Sequence, residues 1–380
     1  MNIGIVCYPT FGGSGVVATE LAKGLAHREH NVHILSYARP ARLDAFETNI
    51  SFHEVNLNSY PLFEYPPYDL ALANQMANLI AHEGIDILHV HYAIPHATSA
   101  YLAKQILGDK AAHVPIITTL HGTDITLVGS DPSYKNVVDF SINQSDGVTA
   151  VSEYLKEETL ERFDIRREIE VIPNFIDLER FRKGDKDHFK KSIGPEGEKV
   201  IVHVSNFREV KRVPDVVETF HLMLEAGLKA KLLLVGDGPD RQRAEQKCRE
   251  LGICDQVRFL GKQDQVEEIL SVADLFLIPS GSETFGLAAL EAMGCSVPVI
   301  SSNIGGLPEV NIHGETGYLC ELGDVQCMAE YGLKILGDEE LHRTMAANAR
   351  RRAEQFEMSA VVNLYEEYYR QVREGMTQKV

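Results

Sequence analysis

The sequence predicts an α/β protein built from two parallel-sheet domains, and three observations predict it. Short apolar runs alternate with longer helical patterns in both halves, the pattern of strands joined by crossover helices. The 380 residues allow two domains that each bury a core. A charged stretch with glycine and proline separates the two series. In the first half the order is Ile3–Cys7, Val16–Ala26, Val32–Ser36, Ile87–Val90, Thr98–Ile106, Ile116–Leu120 and Gly147–Val151. The second half runs Val200–Val204, Val213–Met223, Leu232–Val235, Arg241–Leu251, Val257–Leu260, Val266–Ala273, Leu275–Ile278 and Val297–Ser301. Between them, Pro173-Asn174-Phe175-Ile176-Asp177, the charged stretch Arg180–Lys191 and Gly194-Pro195-Glu196-Gly197 read as the connection. No sequence repeat joins the halves.

Composition narrows the class. With 37 basic and 55 acidic residues the net charge is −18, which speaks against a nucleic-acid or anionic-membrane surface, where a basic face is the rule. Met1-Asn2-Ile3-Gly4-Ile5-Val6 enters a strand with no basic leader, and no apolar stretch approaches a membrane span, so the expectation is a soluble cytoplasmic protein. The cysteines Cys7, Cys248, Cys254, Cys295, Cys320 and Cys327 are scattered and read as unpaired thiols, Cys7 as small apolar filler. His89, His91, His96 and His121 suggest a metal cluster, but no Cys or tightly spaced carboxylate completes it.

Gly281-Ser282-Glu283-Thr284-Phe285-Gly286-Leu287-Ala288-Ala289-Leu290-Glu291 carries the most chemical information. It follows the strand Leu275–Ile278 and precedes a helical pattern ending near Gly294. The N–H groups of Phe285, Gly286 and Leu287 are then expected to open a helix and offer an anion site for a pyrophosphate. Glu291, two turns along, can accept from ribose hydroxyls, and Glu283, on the loop, from those of a sugar. The bland alternative is a solvated Glu pair flanking a glycine turn.

Further candidates follow other strands, where loops at carboxyl ends bind ligands. Gly12-Gly13-Ser14-Gly15 opens the helix at Val16, but Val16-Val17 and the strand end Leu35-Ser36-Tyr37 lack the dinucleotide fingerprint. His121, in His121-Gly122-Thr123-Asp124, and Tyr92, in His89-Val90-His91-Tyr92-Ala93-Ile94-Pro95-His96, end strands by the same logic; a buried structural His is the alternative for His121. Lys211, in Ser205-Asn206-Phe207-Arg208-Glu209-Val210-Lys211-Arg212, places a cation where a departing phosphate gains charge, or is simply an exposed basic turn. Gly261-Lys262-Gln263 follows the strand Val257–Leu260. No Asp-x-Asp follows a strand, so neither metal nor other cofactor is expected.

Together these segments resemble the retaining nucleotide-sugar glycosyltransferases of family 4, whose members share the GT-B fold. The resemblance spans essentially the whole chain. It implies two Rossmann-like domains facing a cleft: an N-terminal acceptor domain over 1–175, a C-terminal donor domain over 176–357, and a last helix, 358–380, crossing back to the first. It implies catalytic roles for His121, Lys211 and Glu283, and donor contacts from Gly13, Ser14, Gly15, Asn206, Lys211, Lys262, Phe285, Gly286, Leu287 and Glu291. Members usually carry an Arg five residues before the Lys; Asn206 stands there, and Arg208 is the candidate replacement. The motifs around Cys7, His89, Leu120, Pro173 and Ser205 narrow the resemblance to the enzymes that open bacillithiol synthesis. That implies transfer of N-acetylglucosamine from UDP to the hydroxyl of L-malate, with retention at the anomeric carbon. A dicarboxylate needs several donors, and Ser14, Tyr92, Thr123, Asn174 and Arg208 are the candidates. Both substrates are small molecules, and a homodimer is left open. A sugar-nucleotide sensor without turnover and a sugar-nucleotide epimerase are the rival readings.

Overall fold

The computed structural model describes residues 1–10, 12–44, 46–57, 65–129, 131–184 and 187–377. The chain divides into two compact units, Met1–Asn174 with Met358–Val380, and Phe175–Glu357. The terminal residues 378–380 of the expected last helix, and 185–186 of the connecting stretch, lie outside the described residues.

In the first unit the order is β1 (Asn2–Val6), α1 (Ser14–Ala26), β2 (Asn31–Ser36), β3 (Ile50–Glu54), α2 (Tyr68–Glu83), β4 (Ile87–His91), α3 (Thr98–Leu107), β5 (Ile116–Leu120), α4 (Pro132–Gln144), β6 (Gly147–Ala150), α5 (Glu153–Arg162) and β7 (Ile169–Val171). The central strands are apolar because both sheet faces are covered; Ile3, Ile5, Leu88, Val90 and Ile117 are fully buried. Among the described residues they form a seven-stranded sheet in the order β3-β2-β1-β4-β5-β6-β7. Neighbouring strands are parallel, with Val6 opposite both Leu35 and Val90. The order reverses between β1 and β4, so the loops leaving these two strands part and open a crevice at their carboxyl ends. Local signals start the helices: Asp131 accepts from the Ser133 N–H ahead of Pro132, and Ser152 accepts from the Leu155 N–H.

The second unit repeats the plan with α6 (Asp187–Ile193), β8 (Lys199–Val204), α7 (Val213–Glu225), β9 (Ala230–Val235), α8 (Arg241–Glu250), β10 (Val257–Gly261), α9 (Val266–Leu270), β11 (Leu275–Ile278), α10 (Leu287–Gly294), β12 (Val299–Ser302), α11 (Leu307–Val310), β13 (Gly317–Cys320), α12 (Val325–Gly337) and α13 (Glu339–Glu354). Its described strands form a parallel six-stranded sheet, β10-β9-β8-β11-β12-β13, with the reversal between β8 and β11. Ile201, Phe220, Met223, Leu232, Leu275 and Leu277 form the centre of one core cluster. Strand β12 starts at Val299 rather than Val297 because Pro298 has no N–H to give a ladder. Helix α9 stops at Leu270, short of Ala273, where the Ser271 hydroxyl turns back to the Glu268 carbonyl at 2.8 Å.

The last helix, α14 (Met358–Thr377), belongs to the first unit. Its Tyr368 hydroxyl accepts from the Val148 N–H at 2.8 Å, and Tyr369 meets His89 Nδ1 at 2.7 Å, so tyrosines fasten the helix to the sheet. The reading of scattered, unpaired cysteines needs correction at one place. Cys320, at the end of β13, is disulfide-bonded to Cys327 at the start of α12, with Cα atoms 6.0 Å apart. Among the described residues no helix is long and apolar enough to cross a membrane.

Candidate active site

In the second unit, three loops at the carboxyl ends of β8, β11 and β12 are laced together beside the strand-order reversal. Phe207, fully buried at φ +43°, pins the loop after β8, and its carbonyl accepts from the Asp240 N–H at 2.8 Å. The loop then makes a tight turn over Glu209–Lys211, and the Gly281 N–H donates to the Val210 carbonyl at 2.7 Å. This brings Lys211 Nζ to 2.5 Å from Glu283 Oε1, with the Ser280 hydroxyl donating to the same oxygen at 3.0 Å. The Glu283 carbonyl accepts from the Gly306 N–H at 2.9 Å. Gly305 has to be glycine there, since a Cβ on it would lie 2.0 Å from the Glu283 oxygen. Both charged side chains are mostly covered, 20% and 14% exposed, so the pair is more than a solvated surface contact.

Beneath the pair, His203 Nδ1 donates to the Leu277 carbonyl at 2.8 Å, which leaves Nε2 to accept from the Ser205 hydroxyl at 2.8 Å. Burial pushes its imidazole down to about 4, so it is a neutral strut.

Helix α10 starts at Leu287, two residues later than the expected opening at Phe285. Gly286, at φ +95°, caps it and Phe285 lies outside, buried with its ring 5.6 Å from that of Phe356. Gly286 holds a left-handed conformation that stops it being the first helical residue. The first intrahelical bonds are donated by Ala289 and Leu290, both to the Gly286 carbonyl, so the Leu287 and Ala288 amides precede the ladder. Glu291 is buried on this helix at 7% exposure. Asn206 and Arg208 are exposed on the Lys211 loop, and Arg208 makes no ion pair among the described residues. Lys262 is exposed after β10, at the edge of the sheet.

In the first unit the loops after β1, β4 and β5 converge. The Ser14 hydroxyl donates to the Tyr92 hydroxyl at 2.7 Å, across the reversal between β1 and β4. Tyr92 sits at φ +95°, and its ring lies 5.4 Å from that of His121. Gly15 is demanded by the chain itself, because a Cβ there would meet the Tyr8 carbonyl at 2.5 Å, whereas Gly12 and Gly13 have open space around them. Tyr8 lies tilted against His96, ring centroids 4.5 Å apart, and joins Tyr92 at 5.5 Å.

The four histidines of this unit are linked by hydrogen bonds and stacking. His91 Nδ1 meets His121 Nε2 at 2.7 Å, His96 Nδ1 donates to the His91 carbonyl at 2.5 Å, and His89 bonds Thr119 at 2.7 Å and Tyr369 at 2.7 Å. Burial pushes His89 and His121 down to about 3 and His96 to about 4, so their rings are neutral at physiological pH. Among the described residues no group of three or more His, Cys, Asp or Glu is arranged to hold a metal ion. Thr123 is exposed beside His121. Asn174, at the end of the unit, is buried, and its Oδ1 has no hydrogen-bond partner among the described residues.

The structure therefore brings together Ser14, Tyr92 and His121 in one unit, and Lys211 and Glu283 in the other. Sequence reading missed Tyr8, His203, Asp124 and Ser280, and weighed His91 only as a metal ligand. All but Asp124 lie at or just beyond a strand's carboxyl end, and that position was their one available signal.

Two parallel-sheet units, each with its polar side chains gathered at a strand-order reversal, are an architecture that nucleotide-sugar glycosyltransferases have, and the family matches assign the chain to that class. Residues 11–180 match the family described as Glycosyltransferase Family 4, and residues 185–352 that described as Glycosyl transferases group 1. The chain belongs to the family 4 glycosyltransferases, enzymes of GT-B fold. It is 51% identical over 383 residues to the N-acetyl-alpha-D-glucosaminyl L-malate synthase of Bacillus anthracis, covering 100% of both chains. In fold it is similar to the sucrose-phosphate synthase of Thermosynechococcus elongatus, with a TM-score of 0.81, 22% identity and coverage of 98% and 99% of the two chains. An Anabaena protein crystallised with UDP and glucose gives 0.82, 21% identity and coverage of 97% and 99%.

Proposed function

We propose that this glycosyltransferase moves N-acetylglucosamine from UDP-N-acetylglucosamine to the hydroxyl of L-malate, with retention at the anomeric carbon, as the first step of bacillithiol synthesis in the cytoplasm. The donor half of this reading rests on the Lys211–Glu283 pair at the β8/β11 reversal. The acceptor is supported by the full-length identity to a chain named for malate.

In this reading the second unit holds the donor. The pyrophosphate lies against the Gly286, Leu287 and Ala288 amides and Lys211, which neutralise it without a metal ion. Glu283 positions Lys211 and then accepts from a sugar hydroxyl, Glu291 accepts from the ribose, and the backbone at Lys262 meets the base. The first unit holds malate, with Ser14 and Tyr92 as hydroxyl donors, His121 as a neutral hydrogen-bonding group, and Thr123 and Asn174 for the carboxylates; Arg208, the further cation offered for malate, belongs to the second unit. The bond from the anomeric carbon to the β-phosphate oxygen breaks, and the malate oxygen bonds to that carbon on the same face. The hydroxyl proton passes to the departing phosphate oxygen. Lys211 stabilises the charge that grows on that oxygen more in the transition state than before it, which is what accelerates the step.

The test is mass spectrometry of products from UDP-N-acetylglucosamine offered with a panel of hydroxy acids. Free UDP together with N-acetylglucosaminyl malate is expected. Binding without turnover would favour a sensor, and a glycosylated acceptor other than malate would overturn the acceptor assignment.

A further inference from the structure

Asp124 is a buried acid to which the transfer reaction gives no role. It is 1% exposed, and its carboxylate spans two loops: Oδ2 accepts from the Ala93 N–H at 2.8 Å and Oδ1 from the Gly122 N–H at 3.0 Å. Ala93 is the neighbour of Tyr92, and Gly122 of His121. One side chain thus ties the loop after β4 to the loop after β5 at the residues next to both site candidates. The segment after β4 needs an external tether, since Tyr92 stands at φ +95°, a conformation that a residue other than glycine rarely adopts. His121 is gripped a second time through its ring by His91.

We propose that Asp124 is the positioning residue of the acceptor half-site, fixing the Tyr92 hydroxyl and the His121 ring relative to each other. The inference rests on the malate-transfer reading above. Burial raises the Asp124 carboxyl to about 6, with the N–H groups of Ala93 and Gly122 opposing that rise, so at neutral pH the ionised form holds the two loops. An amide in its place keeps one acceptor but turns an NH2 towards the other N–H, so the clamp closes on one loop only. An alanine releases both.

The experiment compares wild type, Asp124→Asn and Asp124→Ala in three measurements: kcat, KM for malate, and the dissociation constant of UDP. Asn is expected to raise the malate KM about tenfold and lower kcat by a similar factor, with Ala worse than Asn and UDP affinity unchanged within about twofold. A residue that only stabilises the fold would reduce the amount of active enzyme and leave the malate KM where it is. Unchanged malate KM in both folded variants overturns the proposal. Wild type failing to turn over malate sinks the functional reading instead, so the two failures are distinct. Amide exchange on the wild type adds a check independent of variant folding. The Ala93 and Gly122 amides should exchange at least about 100-fold slower than unprotected amides, and prompt exchange at either would remove the clamp.

Discussion

Lys211 and Glu283 form one unit, so their substitutions should not act independently. At 2.5 Å and an effective dielectric of about 20, the Coulomb attraction has a ceiling of about 6–7 kcal/mol, most of it offset by desolvating two mostly covered charges. A net coupling of about 1–3 kcal/mol is the expected residue. Lys211→Ala removes the cation facing the leaving phosphate and also leaves the Glu283 carboxylate uncompensated. A kcat loss of about 10²–10³-fold, with a raised KM for UDP-N-acetylglucosamine, is predicted. Glu283→Ala frees the ammonium for the pyrophosphate, so kcat falls while the donor KM stays level or drops. In the double variant the losses should sum to less than the two singles by the coupling energy. Glu291→Ala serves as the contrast, with a raised donor KM and a nearly constant kcat. The assay is steady-state UDP release at varied donor and saturating malate. Unchanged kcat in both single variants, or losses that add within about 0.5 kcal/mol, would refute the reasoning.

Three other predictions follow from single features. Arg208 is exposed on the Lys211 loop; as a malate contact it predicts that Arg208→Ala raises the malate KM far more than the donor KM, with Arg208→Lys also impaired for want of a bidentate fork, and no change in any kinetic constant would return it to a plain surface arginine. Activity should persist in EDTA, because backbone amides and Lys211 suffice for the pyrophosphate; full, reversible loss of turnover would show the phosphate site to be misread. Acid should destabilise the fold: His89 and His121 near 3, and His96 and His203 near 4, lie below the ordinary 6.5, so below pH 6.5 the unfolded chain binds more protons than the native one. Each contributes up to about 1.4 kcal/mol per pH unit between 6.5 and its folded value, and Asp124, raised from 3.8 to about 6, opposes with one proton over that window. Urea midpoints at pH 7.5 and pH 5 measure the balance, and a midpoint that rises at pH 5 contradicts it.

The legible parts of the fold were strands buried on both faces. β1, β4, β5, β8 and β11 are short apolar runs ended by polar or glycine-bearing loops, and that pattern alone places loops at the carboxyl ends of parallel strands. Strand β3 escaped because Ile50-Ser51-Phe52-His53-Glu54 lies at the sheet edge and is nowhere fully buried, so its sequence carries no apolar run. β7 is three residues long, too short for any period to show. The start of the helix after Gly286 was misplaced by two residues, from Phe285 to Leu287, because a glycine may cap or enter a helix, and only its φ decides. The Cys320–Cys327 link was invisible because a seven-residue spacing does not distinguish a bridge from two idle thiols.

The site was legible as separate residues and illegible as an arrangement. Lys211 and Glu283 are 72 residues apart in sequence, and nothing local to either states that the other will neutralise it. What brings them together is the strand order: β8 and β11 are neighbours at the reversal, so residues leaving their carboxyl ends must share one crevice. The same topology explains Ser14 and Tyr92, which leave β1 and β4. Once two parallel sheets were expected, these two pairings were in principle derivable from the strand orders. The histidine series was not, because alternation along β4 puts His89 and His91 on one face without saying what that face meets. It meets Tyr369 of α14 and His121 of β5's loop, partners contributed from 280 and 30 residues away, and they turn what resembled a metal cluster into a set of neutral, hydrogen-bonded rings. Burial holds the His121 ring in its neutral form near neutral pH, so its role in transfer is that of a neutral hydrogen-bonding ring held by His91.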